Sequence, residues 1–497
     1  MELRHSEKVT RLIHEKENDF WVLQEKKTAL ALFRRSAESV PAYKDFLRKH
    51  HISAEKIKTW KDFEFVPETN KEYLRSYPLS ALCWQNTLTK KSIVFSSSSG
   101  STGAPFYFPR NEMLNWQYST ILEEFLRKGP QAKENPSTLV IICFGMGVWV
   151  GGMITYQAFQ LLSERGHPLA IITPGVNKEE ILNTLKNVAP LFEQVILVGY
   201  PPFIKDVIDD AYVRGIDIKK IMPRIIFAAE AFTERFRKYI VDKVGIQNPY
   251  RDTLNIYGSA DIGAMAYETG ISILAKQIAL GKKELARNLF HQTVKSPTFA
   301  QYNPSFIHFE EQNQRILLTG DSVIPLIRYA IGDCGGVITF SNTVSLFQRH
   351  DIDLQKKAAE ARIPNPIPKF PFVYIYERID LSTKLYGAII YPEPIREVLQ
   401  NSVFEDRVTG KFMIATKSDK KHNQYLEINV ELKSDITASI ELEKKIVRLV
   451  VQSLLEKNGE YKNNYTAMPH RMIPQLVFWP YEHPKYFRIG IKQKWVE

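Results

Sequence analysis

Between residues 139 and 256 five short runs of aliphatic and β-branched residues recur: Leu139–Cys143, Leu169–Ile172, Gln194–Val198, Arg224–Phe227 and Thr253–Ile256. Each is near-continuously apolar rather than alternating. A strand of that kind has both faces out of water. Helical stretches between the runs, such as Asn111–Arg127 and Lys178–Val188, supply the cover. The pattern predicts an α/β fold: a large N-terminal domain with mostly parallel sheets covered by helices. In such folds ligands bind at the carboxyl ends of the strands. With 497 residues the chain is too long for one core, so more than one domain is expected.

Residues 137–163 carry no charge and are long enough to cross a bilayer. Gly145, Gly147, Gly151 and Gly152 interrupt the segment, however, and Val140-Ile141-Ile142 is β-branched. It therefore reads as strand, glycine loop and helix, with no membrane span. The net charge is +11, but Lys and Arg are interleaved with Glu and Asp, as in "SEKVTRLIHEKEND". These are solvated helix faces, not a nucleic-acid footprint. The surface should still attract small polyanions such as nucleotides. Cys83, Cys143 and Cys334 are far apart and in no ligand-like spacing, which points to a reducing, cytoplasmic setting without disulfide or zinc. The N-terminus has no signal-peptide core.

Beyond about Arg378 the pattern changes. In "LEINVEL" Leu426, Ile428, Val430 and Leu432 share one face, with Glu427, Asn429 and Glu431 on the other. The helix "IELEKKIVRLVVQSLLEKNG" and the strand "QLVFW" follow, giving a small α+β domain. The expected division is 1–379 and 380–497. Ser272–Leu289 and "RHDIDLQKKAAEARIPNPIPKFP" read as inserted segments, the second closing in a proline-rich connector.

Four segments carry chemistry. "SIVFSSSSGSTGAPFYFPR" places serines, glycines and a threonine between two apolar elements. Glycines let backbone N–H groups converge and hydroxyls add donors, which suits phosphate, although a plain hairpin turn fits the same residues. No Gly-Lys-Ser/Thr ends it, so it is not a Walker A loop. In "LTGDSVIPLIRYAIGD" Asp333 follows Gly332 at a strand end, where a carboxylate can accept two hydrogen bonds from a ribose diol. The other two are "ERIDLSTKLYG" and "NIYGSADIG".

Taken in order, these segments resemble the adenylate-forming superfamily of acyl- and aryl-CoA synthetases, above all its phenylacetate–CoA ligase branch with its capsule-biosynthesis-like relatives. "SSGSTGAP" is similar to the family's phosphate loop, "AAEAF" to its adenine segment, "YGSAD" to Tyr-Gly-x-Ser/Thr-Glu, and "PLIRYAIGD" and "ERIDLSTKLYGAIIYPEPIREVL" to the segments that follow. The likeness runs over nearly the whole chain.

The resemblance implies a two-step reaction: a carboxylic acid and ATP give acyl-adenylate and pyrophosphate, and a thiol, usually coenzyme A, displaces AMP. It implies that Ser98, Ser99, Gly100, Ser101, Thr102 and Gly103 bind the phosphates. Ala229, Glu230, Ala231, Tyr257 and Gly258 would bind adenine, and Asp333 and Arg378 the ribose. Asp261 would hold Mg²⁺, Asp380 would be the hinge of a mobile C-terminal lid, and Gly387 would line the thiol channel. Lys492 would stabilise the adenylation transition state, with Lys494 as the alternative. The expected partners are a small carboxylic acid and a thiol acceptor; dimers are common in the branch, and the sequence itself does not show the oligomeric state. Trp149, Val150, Met153 and Tyr156 could line an apolar acyl pocket or belong to the core. Asp261 replaces Glu, Ala260 replaces Ser or Thr, Phe106 stands where many relatives carry Lys, and Ile491 replaces Gly. The alternatives are transfer to a carrier protein, a protein side chain or an amine, and a non-catalytic ATP- or acyl-binding relative.

Overall fold

The computed structural model describes residues 3–85, 87–97, 106–129, 135–147, 150–229, 231–291, 296–376, 383–385, 388–418, 424–458, 461–462, 465–466, 469–487 and 495–496. A two-stranded hairpin, β1 (Val94–Ser97) and β2 (Tyr107–Arg110), precedes the main sheet. The five apolar runs become β3 (Thr138–Cys143), β4 (Leu169–Ile172), β5 (Gln194–Gly199), β6 (Arg224–Ala228) and β7 (Thr253–Ser259). They pair in parallel in the order β4-β3-β5-β6-β7.

Successive side chains of a strand point to opposite faces, and here each set has its own core. Leu139, Ile141, Val195, Leu197, Ile225 and Phe227 pack under the helices Lys178–Asn187, Pro201–Val213 and Glu234–Val244. Val140, Ile142, Ile196, Val198, Ile226 and Ile256 face the helices Glu112–Arg127 and Val150–Glu164. The uncharged segment 137–163 therefore divides between β3 and the second of these helices, as its glycines predict. No helix among the described residues is long and apolar enough to cross a membrane.

Beyond β7 the same sheet continues antiparallel through β8 (Gly263–Tyr267), β9 (Thr298–Gln301), β10 (Ile307–Gln312), β11 (Arg315–Gly320), β12 (Leu326–Ile338) and β13 (Phe372–Tyr376). Their order is β8-β9-β13-β12-β11-β10, making eleven strands in all. The charged segment after Glu268 forms two helices, Gly270–Leu280 and Lys283–Phe290, whose Ile271, Ala275, Leu285 and Leu289 are buried under Phe299 and Phe372.

Past a short hairpin, β14 (Thr383–Leu385) and β15 (Ala388–Ile390), a three-stranded sheet forms from β16 (Val408–Ser418), β17 (Gln424–Leu432) and β18 (Gln475–Trp479). Leu426, Ile428, Val430 and Leu432 are buried on one face, packed with Ile446, Val450 and Leu454 of the helix Ile440–Lys457. The opposite face departs from its polar pattern, because Asn429 and Glu431 are fully buried as well. Asn429 Oδ1 accepts from Trp479 Nε1 at 2.6 Å, and Glu431 accepts from Thr409 at 2.7 Å.

A buried four-charge cluster ties the parallel half of the large sheet to the helices over its antiparallel half. Arg237 donates to Glu268 at 2.6 Å and Glu234 at 2.9 Å, and Lys276 pairs with the same two carboxylates at 2.8 and 2.6 Å. Burial favours the neutral acid at Glu234, but Arg237 and Lys276 outweigh it and hold that carboxyl well below the usual range. Two anions balance two cations, so loss of one leaves a buried charge uncompensated. Glu268→Ala is expected to lower unfolding stability by about 3–5 kcal/mol, read from urea unfolding; a loss below about 1 kcal/mol would contradict the coupling.

Candidate functional site

The sheet changes from parallel to antiparallel at β7, and the polar side chains gather at that end. Tyr257 lies near the end of β7, and its hydroxyl donates to Asp333 Oδ2 of β12 at 2.5 Å. Asp261, in the turn between β7 and β8, donates its backbone N–H to Ser259 Oγ at 3.2 Å, and Tyr329 Oη lies 3.5 Å from its Oδ2. Both carboxylates are below one-tenth exposed (Asp261 7%, Asp333 9%). A carboxylate at such burial needs donors or a cation to keep its charge.

Two glycines make the arrangement possible. A Cβ on Gly258 would lie 2.7 Å from the Gly263 carbonyl oxygen, so the turn carrying Asp261 closes only with glycine there. Gly332 has φ +93°, a conformation that turns the strand just before Asp333. Arg328, at φ +43°, is also left-handed. Its guanidinium donates to Glu310 at 3.1 Å and to the Glu64 and Val66 carbonyls, so this strained residue is held from several sides. The motif "PLIRY" thus anchors β12, and Tyr329 beside it reaches Asp261.

At the end of β6, Ala229 is left-handed (φ +74°), a strained position for a residue with a Cβ. The Ala231 carbonyl accepts from Arg396 Nη1 of the C-terminal unit at 3.3 Å, and Arg396 stacks on Trp495 at 4.2 Å. The predicted residues Ala229, Ala231, Tyr257, Gly258, Asp261 and Asp333 therefore fall on the ends of β6 and β7, the adjoining turn and β12. Ser98, Ser99, Gly100, Ser101, Thr102, Gly103, Glu230, Arg378, Asp380, Gly387, Lys492 and Lys494 lie outside the described residues. So does Trp149; of its companions Val150 and Met153 are half-buried, and Tyr156 is 38% exposed at the surface of its helix.

Arg110 is a site residue that the motifs do not announce. It ends β2, on the return from residues 98–105. Its Nε donates to Ser96 Oγ at 2.9 Å and its Nη2 to the Ala260 carbonyl. Burial pushes the guanidinium down to about 10, opposed by the Asp261 charge. Lone arginines in sequence are ordinarily solvated, and only the fold brings Arg110 onto a turn 150 residues away.

The C-terminal unit docks on the helix Pro201–Val213 through ions. Lys411 of β16 bridges Asp206 at 2.9 Å and Glu431 at 3.2 Å. Lys433 lies 3.5 Å from Asp209, and Lys178 lies 3.7 Å from Glu482. Burial works against the Lys411 charge, but the two carboxylates outweigh it and raise its pKa. This contact accounts for the burial of Glu431, which shares Lys411 with Asp206, whereas Asn429 is covered by Trp479 of its own unit. Among the described residues no group of three or more His, Cys, Asp or Glu could hold a metal. Asp261 is a single hard oxygen donor, which suits a cation that takes its remaining ligands from water and phosphate.

No protein-family model matches the chain, and no curated protein matches it in sequence. Solved structures do match in fold. 2-Hydroxyisobutyryl-CoA ligase in the postadenylation state, in complex with R3-HIB-AMP, superposes with TM-score 0.64 at 14% identity, covering 95% of this chain and 89% of that one. The same ligase with 2-HIB-AMP in that state gives equal values. Its open conformation with 2-HIB-AMP and CoA gives 0.52 at 14% identity, covering 95% and 91%. At this identity the likeness is one of fold.

Because one interface lysine serves two buried carboxylates, Lys411→Met should weaken docking of the C-terminal unit by about 2 kcal/mol. Hydrogen exchange of β16 and of the helix Pro201–Val213 should then quicken, with the core strands β3 and β5 unchanged. Unaltered protection at the interface would contradict the ionic docking.

Proposed function

We propose that this chain, which has the fold of the adenylate-forming enzymes, activates a carboxylic acid with ATP and passes the acyl group to a thiol, coenzyme A. The observation that carries the reading is the Tyr257 hydroxyl on Asp333 at 2.5 Å, beside the Asp261 turn, at the carboxyl ends of parallel strands. A carboxylate oriented by one phenol accepts well from a ribose diol.

In the first step an acid oxygen attacks the α-phosphorus of ATP; the bond to the β-phosphate oxygen breaks, leaving acyl-adenylate and pyrophosphate. Residues 98–103 would hold the departing phosphates with backbone N–H groups and hydroxyls. Asp261 would hold Mg²⁺, which when bound offsets the charge of the phosphate oxygens. Asp333 and Arg378 would fix the ribose, while Ala229, Glu230, Ala231 and Gly258 would frame the base. Lys492 would neutralise charge developing on the α-phosphate in the transition state. In the second step the coenzyme A thiolate attacks the acyl carbon and AMP leaves. Rotation of the segment after 380 about Asp380 would exchange Lys492 for the channel past Gly387. The motifs resemble those of phenylacetate–CoA ligases, and Val150, Met153 and Tyr156 would lie beside the acid. Cys83 and Cys143 are buried thiols, and the reading takes the protein to reside in the cytoplasm.

ATP–[³²P]pyrophosphate exchange over a panel of carboxylic acids tests the first step. Acid-dependent exchange is expected, reduced at least about 100-fold by Lys492→Ala and little changed by Lys494→Ala. Loss with Lys494→Ala alone would reassign the lysine, and no exchange with any acid would contradict the reading. Formation of a thioester with free coenzyme A tests the second step.

A further inference from the structure

From Ser92 to Phe108 the phosphate-loop hairpin carries no cation; Arg110, where the hairpin ends, is its first positive charge. That arginine is 3% exposed. Two of its three donor nitrogens are spent on neutral oxygens, Ser96 Oγ and the Ala260 carbonyl. The third, Nη1, is buried without a hydrogen-bond partner, 3.1 Å from where a Cβ on Gly263 would sit. Among the described residues no carboxylate stands within ion-pair distance of it, and Asp261 is the one charge that stabilises it from further off. A buried guanidinium with neutral partners and a spare N–H is costly unless an anion offsets it. Its neighbours are the two strands that bracket residues 98–105 and the turn that carries Asp261.

We propose that Arg110 is the positioning residue of the phosphate side of the site: it rivets the hairpin to the Ala260–Gly263 turn and supplies the positive charge that the loop itself lacks. The inference rests on the nucleotide reading above. It gives the ligand's phosphates, rather than its base or ribose, as the group Arg110 serves. The hydroxyl that relatives carry at position 260 is missing here, and the Ala260 carbonyl is instead fixed by this side chain.

The test compares binding of ATP and of adenosine by calorimetry to the full chain and to Arg110→Ala and Arg110→Lys. In Arg110→Ala the ATP affinity should fall at least about 20-fold while adenosine binding stays within about twofold, and millimolar guanidinium should restore much of the loss. Arg110→Lys keeps the charge but cannot make both bonds, so it should lose about fivefold for ATP alone; this variant decides the matter if the alanine protein does not fold. Equal losses for ATP and adenosine, or unchanged ATP affinity in the lysine variant, would overturn the proposal. Failure of the unaltered protein to bind ATP at all would instead bring down the nucleotide reading beneath it.

Discussion

The structure turns on the close approach of Gly258 to Gly263. Here the central sheet stops adding parallel strands and begins adding antiparallel ones. β7 is hydrogen-bonded in parallel to β6 on one side and folds directly back onto β8 on the other. Only 2.7 Å separates a Cβ at 258 from the facing carbonyl oxygen, so any side chain would push the strands apart. A crevice opens where strand direction changes, at the carboxyl ends of the parallel strands. Tyr257 and Asp261 flank the first glycine, and Asp333 and Tyr329 reach them from β12.

The parallel half was legible because both of its faces are buried. A strand with water on one side would alternate, whereas Val140-Ile141-Ile142 and Val195-Ile196-Leu197 do not, and each face proved to have its own core. The antiparallel half was not legible in its order. β9 pairs with β13 across the whole length of β10 to β12 and two further helices, and no local pattern encodes a partner that distant. In the C-terminal unit the alternation of β17 correctly marked the inner face. Alternation does not tell what covers the outer face: there Asn429 accepts from Trp479 within the unit, and Glu431 shares Lys411 with Asp206 of the helix Pro201–Val213.

The same division applies to the site. Asp333, Tyr257, Gly258 and Asp261 stand in segments whose residue types state their chemistry, and the fold sets them side by side. Arg110 and Arg396 carry no such signal, since each gains its role from a backbone carbonyl far along the chain, Ala260 and Ala231. Both arginines join separate pieces of chain: one holds hairpin to turn, the other holds the C-terminal unit to the end of β6. Charge at this site is structural fastening, and under the proposed function it would serve binding as well. The interface carries the ion pairs of Lys411 with Asp206 and Glu431, as expected of contacts between units that would move under the proposed function.

The central claim is that a nucleoside is held through its ribose at Asp333, oriented by Tyr257. Its most direct test is equilibrium binding of ATP, AMP and inorganic pyrophosphate to the unaltered chain and to Asp333→Asn. The account predicts that ATP and AMP weaken together, by about tenfold or more, while pyrophosphate binding is unchanged. Undiminished affinity of Asp333→Asn for both nucleotides would contradict it.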